Sequence, residues 1–219
     1  MSEPSRQRVV ILISGRGSNM LALIQQSREP SSSYWISKVF ADRTDAAGLT
    51  RARELGIAAL ALPVEGTDRS TFENRLAAAI HDCSPTLIVL AGFMRILSVR
   101  FVAQFAGKML NIHPSLLPQY PGLHTHRHAL AAGDAQHGAT VHFVTEQLDA
   151  GPAVIQARVP VHVDDDEASL AARVQSLEHK IYPLAVRWFC EGRLRYGAHQ
   201  AWLDGKALLA PVQYSGDTP

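Results

Sequence analysis

Asn111 and His113 are the two residues whose types and spacing most directly indicate chemistry in this sequence. They end the apolar run MLNIH with one residue between them, so in a β-strand their side chains leave on the same side. An asparagine amide can donate a hydrogen bond to an oxyanion, and an imidazolium can stabilise that charge or pass a proton. The Pro-rich stretch PSLLPQYPG follows and restricts the backbone beside both side chains.

Asp149 is the candidate third member of this set. It lies in TEQLDAG, between two apolar runs and just before Gly151-Pro152. An aspartate in such a turn often has only a structural role. A carboxylate folded back onto His113 would instead keep the imidazole protonated. Because no G-x-S-x-G motif supplies a serine nucleophile, the nucleophile would come from a substrate.

A metal site is the competing interpretation of this region, because it is rich in histidine. Cys83 and Cys190 are far apart and form no C-x-x-C pair, which argues against a zinc site of that kind. We therefore predict that no metal is bound. Sequence alone assigns no role to four of the histidines, namely His124, His126, His128 and His137.

The segment VVILISGRGSNMLALI predicts a strand that runs into a Gly-rich turn and then a helix, a geometry that binds anions. Gly15 and Gly17 begin a dinucleotide-type fingerprint, but Met20 holds the third glycine position and no Walker motif follows. A simple tight turn explains the segment equally well by itself. Ser18 and Asn19, two short polar side chains at the helix start, favour a site for one phosphate group.

The segment TLIVLAGFMRIL ends a buried strand and then presents apolar side chains around Arg95. Such residues belong to a core more often than to a ligand pocket. The alternative is a pocket wall for a flat heterocycle. All of these segments follow predicted strands, and open α/β sheets bind ligands at the carboxyl ends of their strands.

The elements that must position these residues alternate along the chain. Apolar runs at 9–13, 36–41, 58–62, 86–92, 109–112, 140–144 and 152–159 predict strands, and Asn19–Arg28, Asp45–Leu55 and Asp68–Asp82 predict helices between them. Unbroken apolar runs favour strands covered on both faces. The order predicts an α/β fold, with a mostly parallel twisted sheet and helices on both faces.

The pattern changes in the C-terminal half. The runs at 140–144 and 152–159 are too close for a crossover helix, so we expect an antiparallel pair there. A long helix follows Asp164–Glu167, whose acidic side chains suit a helix N-terminus. RLRYG and QAWLDGKALL predict a small hairpin around Asp204-Gly205.

Composition limits the classes of function. The chain has 219 residues, of which 47% are hydrophobic, so we expect a single globular domain over 1–219. The net charge of +1 lacks the basic excess of a nucleic-acid binder. No membrane span or signal peptide is recognisable, and the cysteine usage suits a reducing compartment. We expect a cytoplasmic protein that acts on small molecules, with no nucleic-acid or membrane partner.

Together the segments resemble the folate-dependent formyltransferase family, specifically its glycinamide ribonucleotide branch. NIHPSLLP with a later Asp-x-Gly-Pro resembles the whole superfamily, while SGRGSN and PGLHTHR resemble this branch. The resemblance continues through VLAGFMRIL, HFVTEQLDAGP, ARVQSLEHKIYP and AWLDG, and so covers nearly the whole chain.

The resemblance implies a Rossmann-like fold and transfer of a formyl group from 10-formyltetrahydrofolate, as co-substrate, to the amine of 5-phosphoribosylglycinamide in purine biosynthesis. It also implies that no metal is needed. The N-terminal half would bind the ribonucleotide, and the C-terminal half would complete the folate site. Asn111, His113 and Asp149 match the catalytic trio. In that mechanism Asn111 and protonated His113 stabilise an oxyanion, and Asp149 sustains the histidine charge.

The resemblance also implies binding residues. The ribonucleotide positions are Gly17, Ser18, Asn19, Gln175, Ser176, Leu177 and Glu178, with Glu178 at the glycinamide end. The folate positions are Arg69, Met94, Arg95, Ile96, Leu97, Asn111, Thr145, Glu146, Gln147, Leu148 and Asp149.

Four alternatives follow from shared motifs. Methionyl-tRNA formyltransferases carry a further C-terminal domain and need a basic surface. Formyltetrahydrofolate hydrolases carry an N-terminal regulatory domain, whereas the first strand here is expected at about residue 8. A sugar-nucleotide formyltransferase and a catalytically silent folate- or nucleotide-binding module are the other two. The sequence does not distinguish a monomer from a homodimer.

Overall fold

An eight-stranded sheet organises this computed structural model, which describes residues 6–216 and residue 218. In sheet order the strands are β11 (Val212–Gln213), β7 (Ala153–Pro160), β6 (Gln136–Phe143), β5 (Met109–His113), β4 (Leu87–Leu90), β1 (Gln7–Ile13), β2 (Tyr34–Ala41) and β3 (Ala59–Ala61). Strands β1 to β5 pair in parallel, and β6 runs antiparallel to both β5 and β7. The mostly parallel sheet with a later antiparallel pair is therefore confirmed.

Six helices connect the strands of the described region. They are α1 (Ser18–Ser27), α2 (Ala47–Glu54), α3 (Arg69–Cys83), α4 (Val99–Gln104), α5 (Thr125–Ala132) and α6 (Glu167–Cys190). A small antiparallel sheet follows, made of β8 (Leu194–Gly197), β9 (Gln200–Leu203) and β10 (Lys206–Ala207). The predicted hairpin at Asp204-Gly205 joins β9 to β10, while α4, α5 and β11 were not predicted. No helix in the described residues is long and apolar enough to cross a membrane.

Strand β1 shows why the sheet must be covered on both faces. Its residues from Val9 to Ile13 are fully buried. Alternate side chains feed two separate cores, with Ile11 in the cluster that includes α1 and α6 and Leu12 in the cluster that includes α3. Because successive strand side chains point to opposite faces, only helices on both sides can bury such a run.

A tyrosine of helix α6 links this helix to two neighbouring central strands. The hydroxyl of the buried Tyr182 lies 2.8 Å from the carbonyl oxygen of Leu90 on β4 and 2.9 Å from that of Leu110 on β5. The helix begins with a capping box, in which Asp166 and Ser169 satisfy each other's backbone N–H groups. The Tyr182 contacts fix α6 against β4 and β5, beside the candidate site.

Candidate active site

The carboxyl end of β5 brings the three predicted catalytic residues together. Asn111 and His113 lie on the same strand, and His113 Nδ1 is 3.4 Å from Asp149 Oδ2. Asp149 adopts a left-handed backbone conformation, with φ 51°, which aspartate tolerates better than most residues. Its Oδ2 also accepts a hydrogen bond of 2.9 Å from the backbone N–H of Gly122. The connection after β6 and the Pro-rich loop therefore meet at one carboxylate.

His113 has an acceptor opposite each ring nitrogen. Nε2 lies 2.8 Å from the carbonyl oxygen of Tyr120, so it carries a hydrogen, and Nδ1 faces Asp149. Burial lowers the pKa of His113 below its ordinary value, although the Tyr120 carbonyl and the Asp149 carboxylate oppose this. The neutral imidazole therefore predominates at pH 7 in the protein alone. The expected imidazolium requires a further negative charge nearby.

Asp149 is ionised in this setting. Burial raises the pKa of the carboxyl, but the imidazoles of His142 and His113, when they carry a proton, and the N–H of Gly122 hold it below its usual value. The side chain is almost completely enclosed, so its negative charge acts on its neighbours with little screening.

An apolar pocket opens beside Asn111 and His113. The loop after β4 forms one wall, and it exposes Met94 and Ile96, each with 64% of its surface accessible. Large apolar side chains with this exposure on the rim of a cavity indicate a binding surface. Ten of the predicted folate positions line it, namely Met94, Arg95, Ile96, Leu97, Asn111, Thr145, Glu146, Gln147, Leu148 and Asp149.

Arg69 is the predicted folate residue that does not line the apolar pocket. Its Nη2 donates to the carbonyl oxygen of Ile96 at 2.7 Å, and its Nε pairs with Glu73 at 3.1 Å. The buried Glu73 carboxylate also accepts hydrogen bonds from the backbone N–H and the hydroxyl of Ser98. Arg69 and Glu73 thus brace the pocket loop from behind.

A polar pocket lies on the other side of this loop, at the turn between β1 and α1. Gly17 holds the left-handed conformation that begins α1, with φ 71°. Helix α6 closes the pocket: Gln175 donates to the Ser18 hydroxyl at 3.0 Å, and Asn19 donates to Glu178 at 2.8 Å. The structure therefore joins the two predicted ribonucleotide segments, which are far apart in sequence.

Helical periodicity removes two predicted residues from the polar pocket. Gln175 and Glu178 lie three positions apart on one face of α6. Ser176 is exposed and bonds to the carbonyl oxygen of Arg173, while Leu177 packs against the core. Neither of these lines the pocket.

Charge in the polar pocket is mixed. Arg16 lines it, as does Arg95, whose Nε lies 2.7 Å from the buried Asp42. Burial raises the pKa of Glu178, and the hydrogen bond from Asn19 partly opposes this. Cations beside free N–H groups at a helix start suit an anionic group, and a carboxyl deeper in suits a hydrogen-bond donor.

The two pockets share a wall. Gly92, Met94, Arg95 and Ile112 line both of them. Asn111 and His113 therefore lie at the junction, where groups held in the two pockets would meet.

Sequence reasoning missed His142 and Asp42 as site residues. His142 lines the apolar pocket and is paired with Asn111 across β5 and β6. Among the unassigned histidines, His126 lines the polar pocket, and its Nδ1 lies 3.1 Å from Nε2 of the buried His137. No group of three or more His, Cys, Asp or Glu side chains in the described residues is arranged to hold a metal ion.

Two adjoining pockets with an Asn–His–Asp set at their junction define a group-transfer enzyme on a Rossmann-like fold. The formyl transferase family model matches residues 7–186, and the chain belongs to this family. The chain is 50% identical over 210 residues to a phosphoribosylglycinamide formyltransferase of Escherichia coli, covering 95% of this chain and 99% of that one.

Two further relatives carry the same description. The Haemophilus influenzae protein is 42% identical over 203 residues, covering 92% of this chain and 96% of its own. The solved structure from Coxiella burnetii superposes with a TM-score of 0.92 at 45% identity, covering 96% of this chain and all of that one. The Rossmann-like fold expected from the resemblance is confirmed.

His137 generates a prediction about acid stability. Burial, together with the neighbouring His126, lowers the pKa of His137 from 6.5 to about 4. Between pH 6.5 and pH 4, His137 is therefore protonated in the unfolded chain but not in the folded chain. The free energy of unfolding falls as the pH falls through this window. Between pH 7.5 and pH 5, the free energy of unfolding of His137→Asn should therefore fall by about 1–2 kcal/mol less than that of the wild type.

Urea unfolding at the two pH values measures this difference. The control is His162→Asn, which changes an exposed histidine and should lose stability as the wild type does. If His137→Asn loses as much stability on acidification as the wild type, the lowered pKa of His137 is not the cause of that loss.

Proposed function

We propose that this protein transfers the formyl group of 10-formyltetrahydrofolate to the amine of 5-phosphoribosylglycinamide, giving formylglycinamide ribonucleotide and tetrahydrofolate in purine biosynthesis. The observation that carries the proposal is the shared wall of the apolar and polar pockets, with Asn111 and His113 at the junction. The names of the relatives support the same reaction.

The apolar pocket fits the folate. Met94, Ile96 and Leu123 expose apolar surface around it, as a flat pterin ring requires. The co-substrate supplies an activated formyl group. The chain contributes the walls that exclude water and the backbone groups of the loop after β4, which Arg69 and Glu73 hold in place.

The polar pocket fits the ribonucleotide. We assign the phosphate to the N–H groups of Gly17, Ser18 and Asn19 at the start of α1, and Arg16, which lines the same pocket, supports this with positive charge. Glu178, whose carboxyl borders the same pocket from α6, is placed to accept a hydrogen bond from the glycinamide end.

In the proposed reaction the amine attacks the formyl carbon, and the carbonyl electron pair moves onto the formyl oxygen. Asn111 donates a hydrogen bond to this oxygen. The new negative charge raises the pKa of His113, so its imidazole takes up a proton from solvent water and becomes an imidazolium between Asp149 and the Tyr120 carbonyl, and it returns this proton to water when the oxyanion collapses. When the bond between carbon and folate nitrogen breaks, a proton passes from the amine to that nitrogen, and the ionised Asp149 organises a water for this transfer.

The remaining parts of the proposal concern the setting of the enzyme. We propose one formyltransferase domain over 1–219, acting in the cytoplasm on small molecules without nucleic-acid or membrane partners. Both cysteines are free, which accords with a reducing compartment. The active species is a monomer or a homodimer.

The deciding experiment mixes the purified protein with both substrates and follows loss of the formyl group from the folate. Turnover with the ribonucleotide, and none with water or methionyl-tRNA alone, is expected. Formate release without ribonucleotide would instead identify a hydrolase. Binding of either ligand without turnover would identify a silent binding module.

Asn111→Ala tests the oxyanion role. Loss of one such donor costs about 2.7–4 kcal/mol of transition-state stabilisation, or about 10²–10³ in the single-turnover rate. The matched control is Asn74→Ala on the exposed face of α3, which should leave the rate unchanged. A single-turnover rate near wild type in Asn111→Ala would remove this residue from the chemistry.

Ser18→Ala and Ile96→Ala test the assignment of the two pockets. Ser18→Ala should raise the KM for the ribonucleotide about 10-fold or more, since it removes a hydroxyl placed to bind a charged group, and leave the folate KM unchanged. Ile96→Ala should do the reverse, raising only the folate KM, because apolar contact is lost. Steady-state kinetics with each substrate varied in turn measures both KM values. If Ser18→Ala raised only the folate KM and Ile96→Ala only the ribonucleotide KM, the polar pocket would be the folate site and the apolar pocket the ribonucleotide site.

A further inference from the structure

We propose that His142 is a positioning residue that sets the amide orientation of Asn111 and so aims an Asn111 N–H at the formyl oxygen. This inference rests on the proposed function. His142 lies on β6 directly across from Asn111 on β5, and only 2% of its surface is exposed. The pairing of two backbone positions therefore brings the two side chains together.

The tautomer of His142 follows from its neighbours. Nδ1 lies 3.0 Å from the carbonyl oxygen of Phe143. A carbonyl oxygen can only accept, so Nδ1 must carry a hydrogen. In the neutral imidazole the other nitrogen, Nε2, is then bare and can only accept a hydrogen bond.

This bare nitrogen selects one of the two orientations of the Asn111 amide. Asn111 Nδ2 lies 3.2 Å from His142 Nε2. An acceptor can be satisfied only by the amino group, whereas the reversed amide would place its oxygen against the nitrogen lone pair. His142 therefore engages one amino hydrogen of Asn111.

The second amino hydrogen is left for the substrate. Among the described residues, the Asn111 side chain makes only the hydrogen bond to His142, and Asn111 borders the apolar pocket. Without His142, the two amide orientations would differ little in energy, and a large share of molecules would present the amide oxygen to the developing negative charge. Such an arrangement repels the oxyanion instead of stabilising it.

Asp149 is the other group near His142 Nε2, and it competes with Asn111. Its Oδ1 is 3.6 Å away, beyond hydrogen-bond length and further than the 3.2 Å to Asn111. The shorter contact of His142 Nε2 is thus the one to Asn111, and the Asn111 amino group can make it as a hydrogen bond only where Nε2 carries no hydrogen.

The kinetic signature of this role is specific. An interaction made only with the transition state affects kcat and leaves substrate binding nearly unchanged. His142→Phe keeps a ring but removes the acceptor, so we expect kcat to fall about 10- to 100-fold, with both KM values within about 3-fold of wild type. His142→Gln, whose side-chain oxygen can accept from Asn111 in place of Nε2, should recover most of the lost rate.

A double-mutant cycle separates positioning from general structural support. If His142 acts through Asn111, then Asn111→Ala with His142→Phe should be no slower than Asn111→Ala alone. The inference is overturned if the two losses multiply, or if His142→Phe turns over like the wild type. His142→Leu replaces His142→Phe in the same cycle if the latter does not fold, as judged by thermal unfolding.

The wild-type protein separates failure of this inference from failure of the proposed function. Absence of formyl transfer by the wild type contradicts the proposed function. Normal wild-type transfer combined with an insensitive His142→Phe contradicts only the role given to His142.

Discussion

The antiparallel pairing of β6 with β5 determines the geometry of the whole catalytic region. It sets Asn111 opposite His142 and His113 opposite Thr140, and the connection that leaves β6 returns across the strand end to deliver Asp149. The short connection that carries the carboxylate joins β6 to β7, and it can be this short because these two strands are also antiparallel. A slip of one residue would turn His142 to the opposite face of the sheet. The change from parallel to antiparallel pairing at β6 therefore brings the side chains of the candidate site together.

The Pro-rich loop contributes specific contacts as well as stiffness. Its Tyr120 carbonyl meets one nitrogen of His113, and its Gly122 N–H meets the Asp149 carboxylate. The loop therefore supplies, from its backbone alone, an acceptor to His113 and a donor to Asp149. It also means that His113 has no ring nitrogen free of an acceptor, so its contribution to the reaction is the positive charge it gains, and Asn111 remains the direct donor.

Local sequence patterns predict most strands and helices of this fold, whereas the other features depend on contacts between residues far apart in sequence. All seven apolar runs form strands, because a strand buried on both faces has few polar positions to obscure the pattern. The short helix α4 and the two-residue β11 carry too few residues for periodicity to show, and α5 buries only Thr125 and Ala129, which form no apolar stripe. The site followed from residue types at strand ends for Asn111 and His113. His142 could be found only from strand register, which one sequence does not reveal.

Some of the predicted binding residues line a pocket and others do not, again because the sequence does not reveal three-dimensional placement. A contiguous motif does not tell which side of a helix faces a ligand. It predicts Ser176 and Leu177 together with Gln175 and Glu178, but helix α6 turns Ser176 and Leu177 away from the polar pocket. Arg69 was grouped with the folate residues, yet it bonds to the carbonyl of Ile96 behind the pocket wall. In the structure, Arg69 meets this pocket through the loop after β4.

Arg95 stands in the wall common to both pockets and is held there by the buried Asp42. A ligand in either pocket that draws the guanidinium toward itself changes the surface that the other ligand meets. Thermodynamic linkage then requires the effect to be mutual: whatever factor the ribonucleotide imposes on folate affinity, the folate imposes on ribonucleotide affinity. A side chain that lines both pockets therefore makes any coupling between the two ligands reciprocal.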